Sequence, residues 1–242
     1  MQVSDYAPKG TVVRLFDEPV LQDVWHGLPV PHSCFGNLEE LIVDGCQFLS
    51  EVLPSNLLPF LTKMEKLAVR NCGFVKTIFD VKCITEDRKM TTKRPALIPF
   101  PFSLKILALE QLPNLENVWN EDPHGILTIE LLKQVYVDEC KGLTSLFPAS
   151  VAKDLVKLED LHVKHCEELM LIVAENNADP KGKNLELSFP CMISMTLLEL
   201  PKLKYFYRSL HFDTLKLSTH QESHSEGEVI DIEKVSFLYN SP

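Results

Sequence analysis

A chain of 242 residues with 45% apolar side chains has material for one or two packed domains, which sets it apart from disordered segments. Its formal charge of -10 comes from acidic residues scattered through the sequence, which argues against nucleic acid or an anionic membrane as the main partner and in favour of a protein. No apolar run reaches the roughly eighteen residues of a membrane span, no signal-like segment opens the chain, and the cysteines number seven, so a reduced, cytoplasmic setting, with the nucleus also open, is expected.

In chain order, one spacing recurs with first positions at Gly10, Leu38, Met64, Leu104, Leu132, Leu158 and Met192. The fourth position then holds Val13, Leu41, Leu67, Leu107, Val135, Leu161 and Met195, and the sixth holds Leu15, Val43, Val69, Leu109, Val137, Val163 and Leu197. Each pair forms an x-x-L-x-V alternation whose period of two puts these side chains on one face of a strand. Strands are therefore predicted near 12–16, 40–44, 66–70, 106–110, 134–138, 160–164 and 194–198. Apolar columns continue at the twelfth and fifteenth positions, from Leu21 and Val24 to Leu203 and Phe206.

Gly10 to Leu104, Leu38 to Leu132 and Met64 to Leu158 are each 94 residues, so the units come in triplets. The first kind ends in a Val-Trp pair at Trp25 and Trp119. The second carries C-x-x-L and a Leu-Pro or Phe-Pro step, and the third is followed by an insertion, 81–103 or 174–190. Ala149–Lys157, after a proline suited to an early helical position, is predicted to be a short helix, with 57–63 as a weaker counterpart. The organisation expected is an N-terminal extension over 1–11, a repeat domain over 12–210 and an irregular polar tail over 211–242.

This spacing resembles that of a leucine-rich repeat, one strand and one turn per copy, and predicts an α/β solenoid. A curved parallel sheet lines its concave side, and loops and short helices form the convex side. A single unit buries too little apolar surface to offset its chain entropy, so stability must come from stacking. Cys46, Cys72, Cys140 and Cys166 occupy one column and are expected to turn inward, where a small, weakly hydrogen-bonding thiol fits. Trp25 and Trp119 share a column with Leu53, Phe79, Phe147, Val173 and Tyr207 and are read as packing residues.

The variable strand positions carry the candidate protein-binding face. Its central column is Arg14, Ile42, Ala68, Ala108, Tyr136, His162 and Thr196, with Phe16, Asp44, Arg70, Glu110, Asp138, Lys164 and Leu198 beside it. The residues selected as contacts are Arg14, Asp44, Arg70, Glu110, Tyr136, Asp138, His162 and Lys164. His162, His165 and Cys166 have a metal-like spacing, but on this register the cysteine points inward and the histidines outward, so their ligating atoms diverge. The basic stretch 82–94 is read as a solvated loop. Phosphate loops, nucleophile elbows and zinc-protease signatures do not occur, and no cofactor, metal site or enzymatic activity is expected.

The phrases LKILALEQLPNLENVW, VYVDECKGLTSLFPASVAKDLVKLEDLHVKHCEEL and LLELPKLKYFY resemble the C-terminal leucine-rich repeats of plant intracellular nucleotide-binding leucine-rich-repeat disease resistance proteins of the coiled-coil class. The resemblance spans about Val12 to Tyr207. It implies a recognition and regulatory module whose partner is a pathogen effector, a guarded host protein or a nucleotide-binding domain. The phosphate loop of such a domain does not occur in this sequence, so ATP binding is not carried over. The alternative is a free-standing adaptor, for example one that presents substrates to a ubiquitin ligase. An adaptor would be expected to carry a docking segment before the repeats, for which residues 1–11 leave no room.

Overall fold

A strand with every second residue apolar has one dry face and one wet face, and it is stable only when neighbours cover the dry one. The computed structural model describes residues 11–15, 35–82, 100–174, 187–207, 210–211, 229–231 and 235–236. Within them, the predicted segments are the strands Thr11–Leu15, Leu38–Asp44, Lys66–Arg70, Ile106–Glu110, Gln134–Asp138, Asp160–Lys164 and Ser194–Leu198. They lie side by side in sequence order as one parallel sheet. Val13, Leu41, Leu67, Leu107, Val135, Leu161 and Met195 are successive register partners, so the sheet keeps one register from unit to unit, including between Lys66–Arg70 and Ile106–Glu110.

The fold is a leucine-rich-repeat solenoid. Its core runs the length of the stack, with Leu41, Leu67, Leu107, Val135 and Leu161 essentially inaccessible to solvent. Burying one such side chain contributes about 1.5–3 kcal/mol. The twelfth-position residues Leu49, Val75, Leu115, Leu143 and Leu169 are buried with them, as are Val52, Ile78, Val118, Leu146, Ile172 and Phe206. Leu21, Val24, Trp25, Phe16, Cys34, Cys83 and most of the two insertions lie outside the described residues.

From Leu38–Asp44 onward, each strand of the series is followed by a left-handed residue at the eighth repeat position: Gly45, Asn71, Gln111, Glu139, His165 and Glu199 have φ between 50° and 71°. This conformation costs an ordinary residue about 1–2 kcal/mol. The turn repays it in hydrogen bonds, because each such residue from Gly45 to His165 donates its backbone N–H to a carbonyl of the next unit (N···O 3.0–3.2 Å). The acceptors are the seventh-position residues Arg70, Glu110, Asp138, Lys164 and Leu198. Immediately after the turn the cysteine column enters the core, as expected. The thiol of Cys72 donates to the carbonyl of Arg70 at 3.0 Å and that of Cys166 to Lys164 at 3.1 Å.

The convex side carries short strands rather than long helices. Glu51–Leu53, Thr77–Phe79 and Asn117–Trp119 form one parallel sheet; Ser145–Phe147, Leu171–Val173 and Tyr205–Tyr207 run parallel in another, which Leu210–His211 joins antiparallel. Trp119 is buried and stacks on Phe79 with ring centroids 4.0 Å apart and planes at 7°, which makes it a packing residue. Its indole N–H is buried without a hydrogen-bond partner among the described residues. The predicted helix is present over Ala149–Asp154. It stops short of Lys157 because Leu155 and Leu158 both turn into the core to start the next unit. Leu58–Phe60 is a single 3₁₀ turn.

Two expectations need correction. Where an irregular end was expected beyond residue 211, Val229–Asp231 adds an antiparallel strand to the edge strand Ser194–Leu198, and Val235–Ser236 pairs with Ser188–Phe189. An edge strand offers unpaired N–H and C=O groups, and a returning chain satisfies them despite its polar composition. Ala68, expected on the open face, is only 5% exposed. Its register partners on either side are Ile42 and Ala108, and its short side chain leaves little surface between them.

Candidate functional site

Parallel register sets the spacing of the open face. Residues at one repeat position sit about 4.8 Å apart along the stack, so neighbouring side chains at that position touch. Tyr136 and His162 are register partners on adjacent strands, and their rings stack with centroids 5.1 Å apart and planes at 8°. The next strand places the Ser194 hydroxyl 3.2 Å from His162 Nε2. Partial burial lowers the His162 pKa below its ordinary value of 6.5, with Asp160 opposing and Lys164 assisting; burial, with Asp160 nearby, raises that of Tyr136. The carboxylate of Asp160 accepts a hydrogen bond from the Gln134 amide at 2.9 Å.

The seventh-position column is charged from Asp44 to Lys164. Asp44 lies 3.7 Å from the guanidinium of Arg70 and accepts a 2.8 Å bond from the Asn71 amide. Asp138 is held 2.6 Å from His165 Nδ1, while Nε2 of the same ring is 3.6 Å from Glu199. The hydrogen bond to Asp138 is the chief reason that the His165 pKa is raised above 6.5, and Glu199 and Glu139 add to it. Glu110 is exposed and Lys164 half-exposed in the same column, and Arg14 is exposed on the first strand.

The structure thus brings Tyr136, Asp138, His162 and Lys164 together on two adjacent strands, and pairs Asp44 with Arg70 three and four strands away from the His162 strand. Arg14 lies on the edge strand beside Ile42, apart from the aromatic pair. His162 and His165 point to separate partners, and the Cys166 thiol turns to the Lys164 carbonyl, so the three do not converge. Among the described residues no three potential ligands gather for a metal ion.

Reading the strands alone missed the row of turns. His165 was placed with the exposed histidines, yet it bridges carboxylates on both neighbouring units. The signal available was the recurrence of Asn, Gln, Glu and His in one column just before the inward residue. Oppositely charged neighbours elsewhere extend the pattern: Lys105–Glu65 at 2.7 Å, Lys133–Glu159 at 2.6 Å and Lys141–Glu167 at 2.9 Å each tie one unit to the next. Such exposed pairs contribute about 0–1 kcal/mol apiece.

A stack of this shape, with a regular core and a variable open sheet, defines the leucine-rich-repeat class of interaction scaffolds. The model of the family described as plant disease resistance protein RPS2-like, leucine-rich repeats, matches residues 10–167, and the chain belongs to that family. The repeat geometry continues beyond the matched span through Ser194–Leu198 and Tyr205–Tyr207. No match was found among curated proteins. Within the described residues no helix is long and apolar enough to cross a membrane.

Proposed function

We propose that this chain is the protein-recognition and regulatory module of a plant disease resistance protein, acting in defence by binding another protein through the open face of its sheet. The partner is a pathogen effector, a guarded host protein or the nucleotide-binding domain of a receptor, and the setting is the cytoplasm. The observation that carries this reading is the membership of a disease-resistance repeat family, combined with a face whose residues vary in size and charge over a constant core. Arg14, Asp44, Arg70, Glu110, Tyr136, Asp138, His162 and Lys164 are the contact residues of this proposal, with Tyr136 and His162 as its aromatic centre.

The experiment is a yeast two-hybrid or pull-down screen against effectors and host proteins, repeated with Tyr136→Ala. A partner whose binding falls at least tenfold on that change, while the circular dichroism spectrum is retained, supports the reading. A partner that binds the variant equally well places recognition elsewhere and removes the open face from the proposal.

A further inference from the structure

A second surface runs along the rim where the concave strands end. Two open depressions of about 730 and 360 Å³ adjoin there and share Glu139 and Lys141 as common walls. Together they form a furrow from Gln47 to Pro201, spanning six successive turns. At about 4.8 Å per unit that is roughly 24 Å, the length of about seven residues of extended chain. The furrow is open along its course, which suits a strand-like segment better than an enclosed small molecule.

Its construction is regular. The left-handed residues Asn71, Gln111, Glu139, His165 and Glu199 line it, and the residues that follow the turns add the apolar surface of Pro113, Leu200 and Pro201. The turns are tied to one another by the N–H to carbonyl ladder, so little order would have to be acquired on binding. Its charge is uneven. Lys141 is engaged by Glu167 at 2.9 Å, and the Gln111 amide approaches Glu139 at 3.3 Å. The Glu199 side chain is 68% exposed and pairs with His165 at 3.6 Å, so Glu139, Glu167 and Glu199 stand against Lys141 and His165. This end therefore presents carboxylates in excess of cations.

We infer that this furrow is a docking groove, separate from the open face of the sheet, for an extended basic segment of a partner protein, its Lys or Arg side chains meeting Glu139 and Glu199 and its apolar residues lying on Leu200, Pro201 and Pro113. Charge complementarity selects this occupant over a second copy of the chain, whose formal charge of -10 would meet the groove with like sign. The inference does not depend on the function proposed for the open face.

The test uses the full chain and a fluorescein-labelled peptide of sequence Arg-Leu-Arg-Pro-Arg-Leu-Arg, with an all-Glu counterpart, read by fluorescence anisotropy at low and moderate salt. Glu139→Gln combined with Glu199→Gln should weaken the basic peptide at least tenfold, with the single Glu199→Gln intermediate. Glu116→Gln combined with Glu130→Gln removes the same charge elsewhere and should change binding less than twofold, as should Tyr136→Ala. Absence of binding by the basic peptide, equal affinity for the all-Glu peptide, or equal weakening by the two double variants would overturn the groove. Loss on Tyr136→Ala alone would transfer the peptide to the open face and overturn it too.

Discussion

The imidazole of His162 lies flat on the ring of Tyr136, 5.1 Å between centroids, because parallel strands in exact repeat register put the two side chains at the same height. Three residues further on, His165 makes the opposite kind of contact, a 2.6 Å hydrogen bond to Asp138.

The two histidines should therefore titrate on opposite sides of 6.5, His162 below it and His165 above it. By linkage, His165 contributes stability that is present below pH 6.5 and lost as pH rises through its folded pKa. His162 contributes stability that is present above pH 6.5 and lost as pH falls towards its folded pKa. Between pH 8 and pH 6 the two effects oppose each other in the native chain. His165→Gln leaves only the second, so the variant should lose stability on acidification more than the native chain does. Nitrogen-15 NMR of the imidazoles and denaturant melts across this range measure both; histidines with a common pKa would contradict the arrangement.

Leu161→Asp places a charge without a partner at a site with no solvent exposure, between Val135 and Met195 in the sheet. Because neighbouring units share their core, the damage should spread beyond one repeat and abolish the cooperative melt. The milder Leu161→Ala should cost about 2–5 kcal/mol. An unaltered melt for the Asp variant would mean that this side chain does not face the core.

Gly142 permits a close approach between two units. A β-carbon there would sit 3.0 Å from the carbonyl oxygen of Pro113 and 3.1 Å from that of Leu115, both backbone atoms of the preceding unit. Gly142→Ala should therefore destabilise the stack by about 1–3 kcal/mol, seen as a lower denaturant midpoint. A neutral outcome would show that the backbone at this junction can yield.

Gln111 holds φ at 54°, a region that β-branched residues tolerate least. Gln111→Val should cost about 1–2 kcal/mol, while Gln111→Asn should be close to neutral, since asparagine accepts the left-handed region. Equal melting temperatures for the two variants would show that the turn adjusts its backbone.

Much of the framework could be read before any coordinates. Val43, Val69, Leu109, Val137 and Val163 are buried as their alternation required, and the four column cysteines turn inward. The helix after Pro148 was legible from apolar spacing and from the proline before it, although its end was not, because the turn at Leu155 follows from packing into the next unit. Site residues were less legible. Asp138 and His162 could be placed on the open face, but their partners His165 and Ser194 come from the turn row and from the next strand, 32 residues on in the case of Ser194, which no local pattern links.

By itself the sequence determined which residues face the core, because burial depends on polarity and on a period that is local along the chain. It also determined the family, because the repeat phrases are linear. Only the tertiary structure decided which outward residues meet, that Ala68 is covered, that Val229–Asp231 closes the sheet, and that the turns align into a furrow. Those outcomes depend on contacts between units 26 or more residues apart, made when the strands pair in register, and side-chain polarity at one position carries no record of its neighbour in the stack.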